Sequence, residues 1–197
     1  MIKYFVFAEF GSARVVEFLE GLRYAFFQKK KNSPIHVTLR GPHARAISQN
    51  RLQELAELVR GYGVKIHSPG FFSTSTGYVV FLRAECSVFR DIWNKPDFDV
   101  SKFGIQPHIT LFETKNKSDA ERVLRFIKKE KIHIHTYDLY LSLYRSGNQQ
   151  SDLFDFLIAR PQGERPRPDI FRINDGVVER AHVLGKEILE KQGHDID

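Results

Sequence analysis

Two histidines, His36 and His108, stand in the same four-residue pattern, His-x-Thr-Leu. Imidazole has an ordinary pKa that lets it accept or donate a proton near neutral pH. Two imidazoles on opposite sides of a phosphorus atom can take a proton from the attacking oxygen and give one to the departing oxygen. The hydroxyls of Thr38 and Thr110 can donate to the non-bridging oxygens, where negative charge accumulates. The pattern is therefore suited to general acid–base catalysis, for example of an in-line displacement at phosphorus, and such catalysis requires no metal.

The repetition of the pattern is the evidence, because a lone histidine on a strand is usually a solvated or hydrogen-bonded residue. With eight histidines and six threonines among 197 residues, chance gives about 0.25 His-x-Thr sequences. Two copies, both followed by leucine, are more than chance predicts. Their separation along the sequence is about half of the length of the core. This spacing indicates an ancient duplication into two lobes that face each other across a cleft.

Both motifs are predicted to lie on strands, where residues two apart point to the same face. We therefore expect one polar face with His36, Thr38 and Arg40, and another with His108, Thr110 and Phe112. The apolar residues between them would point into a core. Arg40 is then a candidate phosphate ligand through a charge-assisted hydrogen bond, and an ordinary surface arginine is the alternative.

Other side chains are weaker candidates for binding. Phe112 could stack on a base, although packing as a wall of the cleft is the commoner fate of phenylalanine. Tyr144, near the end of a late strand, is a candidate of the same kind. His133 and His135 share one strand face and would supply half of a metal site, but no third ligand is evident. We expect no metal and no other cofactor.

The predicted elements alternate between strands and helices. Strands are expected at residues 3–10, 35–40, 64–67, 77–84, 107–113, 132–144 and 153–159. Helices are expected at residues 12–28, around 50–60, at 87–94, and from a capping box at 118–121. The strands show half-buried alternation and not long apolar runs. This pattern favours an α+β fold with antiparallel sheets over a doubly wound parallel sheet.

The composition changes at residue 161, so we expect a bilobal domain over residues 1–160 and a C-terminal linker and helix over 161–197. The last helix is expected to pack on the core through the apolar residues of one face, which are Val177, Val178, Ala181, Leu184 and Ile188.

Charge and composition limit the classes of function. The net charge of +6 and the pI of about 9.4 favour an anionic partner such as a nucleotide or RNA. The single cysteine, Cys86, excludes an internal disulfide. No apolar run is long enough to cross a bilayer. We expect a soluble cytoplasmic protein with no membrane association and no obligate protein partner.

The paired His-x-Thr-Leu motifs resemble those of the 2H phosphoesterase superfamily, which includes 2′-5′ RNA ligase-like proteins and cyclic phosphodiesterases. The resemblance covers residues 3–159, and Leu139–Ser146 with residues 153–159 is similar to the closing strand pair of that family. It implies two pseudo-symmetric lobes, each an antiparallel sheet flanked by helices, with a central cleft.

By this resemblance His36 and His108 carry the chemistry, and Thr38 and Thr110 hold the phosphate. Many members have an aromatic residue two positions after the motif threonine. Phe112 keeps it in the second motif, whereas arginine replaces it in the first.

The expected function is a metal-independent phosphodiesterase acting on a 2′,3′-cyclic phosphate or on a 2′-5′ linked nucleotide or RNA. Reversible 2′-5′ ligation of RNA ends would use the same chemistry in the opposite direction. A module that binds RNA or a nucleotide without turnover is the alternative from another class of function.

Overall fold

A computed structural model of the chain describes residues 2–94, 105–146, 157–163 and 166–194, which contain nine strands and five helices. In chain order these are β1 (Lys3–Phe10), α1 (Ala13–Phe27), β2 (His36–His43), α2 (Gln49–Leu58), β3 (Val64–Thr74), β4 (Gly77–Glu85), α3 (Phe89–Trp93), β5 (His108–Thr114), α4 (Lys117–Glu130), β6 (His133–Thr136), β7 (Leu139–Ser146), β8 (Leu157–Ala159), β9 (Ile170–Arg172) and α5 (Val177–His194).

The strands form two antiparallel sheets, which confirms the predicted α+β fold. One sheet has four strands in the order β2-β1-β7-β8, and the other has five in the order β5-β4-β3-β6-β9. Helix α4 packs on β3, β4 and β5, and α2 packs on β7 and β8. Helix α1 contacts β1, β5 and α5. One apolar core therefore runs between the helices and the inner faces of both sheets.

The capping residues explain where α1 and α4 begin. The Ser12 hydroxyl accepts a hydrogen bond from the amide of Val15 at the start of α1. The side chain of Asn116 accepts from the amides of Ser118 and Asp119 at the start of α4. The predicted capping box at Ser118 is therefore wrong, because Asn116 caps this helix.

Two strands are longer than predicted. Strand β2 continues through Gly41 and Pro42 to His43. Proline is tolerated there because β2 is a sheet edge and because Pro42 lies at a register shift between the pairs Val6–Arg40 and Tyr4–His43. Strand β3 continues through Pro69 with a register shift after His67. Strand β6 pairs only with Val64–Ile66 of β3, so Pro69 lies beyond the part of β3 that is hydrogen-bonded to β6.

One predicted strand is in fact two. Residues 132–144 form β6 in the five-stranded sheet and β7 in the four-stranded sheet, so the chain crosses between the sheets at Tyr137 and Asp138. Of the predicted strand at 153–159, only β8 lies within the described residues.

The C-terminal segment joins the core. Strand β9, which was not predicted, pairs with β6, and α5 packs along α1. Val177, Ala181 and Ile188 of the predicted apolar face are almost fully buried. No helix in the described part of the chain is both long and apolar enough to cross a membrane.

Candidate active site

The two motif strands meet at the junction of the sheets. Strand β2 is the edge of the four-stranded sheet, β5 is the edge of the five-stranded sheet, and the two strands contact each other. Both imidazoles are partly buried, and the charge of His108 is near enough to contribute to a lowered pKa of His36. The fold thus brings the two predicted catalytic residues to one place from opposite lobes.

The pairing of each motif strand with its neighbour repeats in register. Opposite His36, Val37, Thr38 and Arg40 lie Glu9, Ala8, Phe7 and Val6 of β1. Opposite His108, Ile109, Thr110 and Phe112 lie Arg83, Leu82, Phe81 and Val80 of β4. In both strands the leucine after the motif threonine is skipped at a register shift. The pseudo-symmetry of the lobes therefore extends to a bulge at the same position.

Each imidazole is held through its Nδ1 atom. Nδ1 of His36 lies 2.8 Å from the carbonyl oxygen of Pro34, and Nδ1 of His108 lies 2.6 Å from that of Gln106. Because a carbonyl only accepts, Nδ1 carries the proton in both rings, and Nε2 is the atom that titrates. In both motifs the residue two positions before the histidine thus fixes the ring orientation and its tautomer.

Aromatic rings support both imidazoles. Phe7 stacks on His36 with 3.7 Å between ring centroids, and Phe81 lies 5.0 Å from His108. These phenylalanines occupy equivalent positions, each opposite a motif threonine. Tyr144, predicted as a substrate contact, is half-buried and lies 5.0 Å from Phe7 on the far side of β1 from His36. Sequence reasoning missed the two phenylalanines, because only the strand register reveals them.

Phe72 completes the aromatic group around the second histidine. Its ring centroid lies 5.4 Å from that of His108 and 5.4 Å from that of Phe81. Gly70 lies opposite Phe81, and a Cβ atom there would lie only 2.5 Å from the phenyl ring. The glycine therefore lets the Phe81 ring lie across β3, beside the imidazole.

Burial lowers the pKa of both histidines below the ordinary range. For His36, desolvation is the main cause, and the charges of Arg23 and His108 lower the pKa further, while the bond to Pro34 raises it. For His108, desolvation lowers the pKa and the bond to Gln106 opposes it. Both rings therefore favour the neutral form at neutral pH, and His36 does so for more reasons.

A cavity of about 150 Å³ joins the two motifs. It is lined by His36 and Thr110, which come from different sheets, and by side chains that include Arg23, Lys31 and Glu113. Thr110 is half-buried at this cavity, whereas Thr38 is exposed. The arrangement provides a polar, positively charged space beside an imidazole, with a hydroxyl from the opposite lobe.

Two cations at this cavity were missed by sequence reasoning. The buried guanidinium of Arg23 donates to the carbonyl oxygens of Ser33 (2.7 Å) and Pro34 (3.2 Å). It thereby holds the same carbonyl group that orients His36. Lys31 pairs with Glu113 across the junction at 3.3 Å. Neither residue belongs to a motif: Arg23 lies on α1 and Lys31 in the segment that follows it, and only the folded chain places them here.

A buried carboxylate lies on the other side of the first histidine. Glu9, directly opposite His36 in the sheet, accepts hydrogen bonds from the hydroxyls of Tyr140 (2.9 Å) and Ser142. Desolvation and then the charge and hydrogen bond of Glu9 raise the pKa of Tyr140 to about 12. The tyrosine therefore remains a neutral hydrogen-bond donor. Glu9, Tyr140 and Ser142 form a hydrogen-bonded polar cluster on the strands beside His36.

The predicted position of Arg40 on the open face is wrong. Its side chain is 1% exposed, donates to the carbonyl oxygen of Trp93, and lies 5.4 Å from the Trp93 ring. The bulge at Leu39 shifts the alternation, so Leu39 and Arg40 are both buried. Arg40 thus joins β2 to α3 and does not face the cavity between the motifs.

The predicted position of Phe112 is wrong for the same reason. The bulge at Leu111 buries it at 4% exposure, where its ring packs 6.3 Å from Phe26 and 5.4 Å from Phe27. Phe112 is therefore part of the packing between β5 and α1 and does not present a face to a base.

His133 and His135, which could supply half of a metal site, have no third ligand beside them within the described part of the chain. His133 lies 5.8 Å from His67, and the hydroxyl of Tyr137 lies 3.3 Å from Nδ1 of His135. Among residues 2–94, 105–146, 157–163 and 166–194, no three histidine, cysteine or acidic side chains are grouped so that they could hold a metal ion.

Comparison with known proteins finds no family model that matches the chain and no curated protein with significant similarity to it. The geometry of the two motifs therefore carries the functional argument.

Proposed function

We propose that this protein is a metal-independent phosphodiesterase that acts on a 2′,3′-cyclic phosphate or on a 2′-5′ linked nucleotide or RNA. One observation carries the proposal. Two imidazoles from the contacting edge strands of separate sheets are each anchored through Nδ1, and the cavity beside His36 is lined by Arg23, Lys31 and the threonine of the second motif, Thr110. General acid–base catalysis needs two such groups with Nε2 directed at the reacting atoms.

The chemistry follows from the two Nε2 atoms. A neutral imidazole takes the proton of water as the water oxygen bonds to phosphorus. The protonated imidazole gives its proton to the ribose oxygen as the phosphorus–oxygen bond breaks. The product is a phosphomonoester and a free hydroxyl, and each histidine then returns to its starting state by proton exchange with solvent. The hydroxyls of Thr38 and Thr110 would donate to the non-bridging oxygens.

The pH dependence provides a first test. We expect kcat/KM to follow a bell-shaped curve with its maximum below about pH 6.5, because burial lowers the pKa of both histidines. Activity falls on the acid side as the imidazole that acts as the base gains a proton, and on the alkaline side as the imidazole that acts as the acid loses one. Initial rates between pH 4.5 and 8.5 on 2′,3′-cyclic nucleotides check this, and a maximum above about pH 7 would contradict it.

The threonines provide a second test. We expect Thr38→Val and Thr110→Val each to lower kcat about 10²-fold, because each removes one hydroxyl donor to developing charge. Valine keeps the shape and the strand preference, so the fold should persist. Thr38→Ser and Thr110→Ser are the matched controls and should keep most of the activity. A Thr→Val variant with wild-type kcat would remove that threonine from the phosphate site.

Substrate class is tested with the wild-type protein. It is incubated in EDTA with 2′,3′-cyclic nucleotides, with 2′-5′ and 3′-5′ dinucleotides, and with RNA that ends in a cyclic phosphate. Turnover of a cyclic phosphate or a 2′-5′ linkage is expected. Binding without turnover would favour an RNA- or nucleotide-binding module, and joining of 2′-5′ ends would favour a reversible ligase. Activity lost in EDTA and restored by zinc would exclude the metal-independent mechanism.

A further inference from the structure

The five-stranded sheet carries a line of basic side chains that begins at His108. Arg83 lies directly opposite His108, and His67 lies opposite Arg83. The ring of His67 is 5.8 Å from that of His133, and His133 lies opposite Arg172 of the edge strand β9. Residues directly opposite in a sheet share a face. We call Arg83, His67, His133 and Arg172 the basic row.

The basic row lies on the face of the sheet away from the helices. The other face is covered by α4, and the residues next to the row in sequence, such as Leu82 and Ile134, are fully buried. Arg83 and Arg172 are exposed, and His67 and His133 are half-buried. Since neighbouring strands lie about 4.8 Å apart, the row extends about 19 Å from His108 to Arg172.

The row has more positive than negative charge. Lys65 adds a cation in the adjacent line of the sheet, beside His135. Glu85 is the opposing acid: it lies opposite Lys65 and 3.2 Å from Nε2 of His67. Arg83 and Arg172 make no ion pair within the described part of the chain. Two permanent cations therefore stand at the start and at the end of the row.

We propose that the basic row binds the phosphate backbone of a single-stranded RNA whose end occupies the site between His36 and His108. The row is continuous with that site, since Arg83 is the direct neighbour of His108. A mononucleotide in the site would not reach Arg172, so the row serves a polynucleotide. The identity of the bound end rests on the proposed function, but binding along the row does not. Lysine and arginine side chains spaced along a bound nucleic-acid strand neutralise its phosphates, and this makes the binding salt-dependent.

Direct binding tests the row without relying on turnover. The fluorescence anisotropy of a labelled single-stranded RNA decamer is titrated with the wild-type protein and with the double variant Arg83→Gln, Arg172→Gln at several salt concentrations. We expect the double variant to bind about tenfold more weakly and to show a smaller slope of log K against log salt, by about 1.4. Arg125→Gln, on the exposed face of α4, is the matched control and should leave both values unchanged. Equal affinity and slope in the double variant and the wild type would overturn the inference.

Turnover separates failure of the row from failure of the proposed function. For RNA that ends in a cyclic phosphate, kcat/KM should fall about tenfold in the double variant. The single variant Arg172→Gln, about 19 Å from His108, should lower kcat/KM for the RNA but not for a cyclic mononucleotide. Equal kcat/KM for the RNA in the double variant and the wild type would overturn the row and leave the proposed function standing. If the wild type hydrolyses neither substrate but the binding results hold, the proposed function fails and the row stands.

Discussion

Replacing either His36 or His108 with glutamine is expected to lower kcat/KM by about 10³-fold or more. The proposed mechanism needs one imidazole to accept a proton and the other to donate one in the same step, and an amide can do neither at accessible pH. Glutamine can still donate a hydrogen bond near the Pro34 or Gln106 carbonyl and fills much of the space of the imidazole. The loss of kcat/KM therefore reports the loss of proton transfer at Nε2 and not the loss of side-chain volume. Steady-state rates on a cyclic nucleotide over the full pH range check the size of the loss.

The two variants should also be non-additive. Groups that act as a unit lose nearly all of their contribution when either member is removed. The His36→Gln, His108→Gln double variant should therefore be about as slow as the slower single variant. His182→Gln, in which the replaced ring lies between Tyr24 and Gln28 on the α1–α5 side of the protein, is the control and should retain full activity. A single variant that keeps a tenth of the wild-type rate would refute the two-histidine mechanism.

Local sequence patterns predicted the motif strands because strand alternation is a property of the backbone. Val37, Leu39, Ile109 and Leu111 are all buried, as the period of two requires. The same alternation failed one step later, at Arg40 and Phe112. The bulges that bury those residues arise from pairing with β1 and β4, and no residue within the motif strand signals that pairing.

Long-range pairing also decides which residues support the histidines. Phe7 and Arg23 are far from the motif in sequence, and each reaches His36 only because β1 pairs with β2 and α1 packs beneath the loop at Pro34. The break of residues 132–144 into β6 and β7 has the same origin. The chain crosses between the sheets at Tyr137 and Asp138. Aspartate is common in turns, but this segment has no glycine or proline that would mark a break in the alternating pattern.

The two lobes use one solution to position an imidazole. In each lobe the carbonyl two residues upstream fixes Nδ1, and a phenylalanine opposite the motif threonine lies against the ring. The lobes differ in what stands opposite the histidine: the carboxylate Glu9 in one and the guanidinium Arg83 in the other. The reactive geometry is therefore shared, whereas the charge beside it is not. If RNA binds along the basic row as proposed, its chain continues from the side of His108.

The close approach of α5 to α1 predicts the largest effect on stability. Gly185 of α5 lies against the backbone of α1, and a Cβ atom there would overlap the carbonyl oxygen of Ala25. That oxygen already accepts a hydrogen bond from the side chain of Gln28, so it cannot simply move away. We expect Gly185→Ala to lower the free energy of unfolding by about 2 kcal/mol, the range typical of overpacking. The midpoint of thermal unfolding should fall by about 4–8 °C.

Gly21→Ala is the matched control in the same interface. Its Cβ would meet Val178 at 3.4 Å, an ordinary van der Waals contact, so only the gain in helix preference remains. That variant should be as stable as the wild type or up to about 1 kcal/mol more stable. If Gly185→Ala unfolds at the wild-type temperature, the two helices cannot pack as closely as the structure has them. A selective loss at Gly185 would instead establish that α5 belongs to the folded core. Helix α1, on which α5 packs, also carries Arg23, which holds the carbonyl group that orients His36.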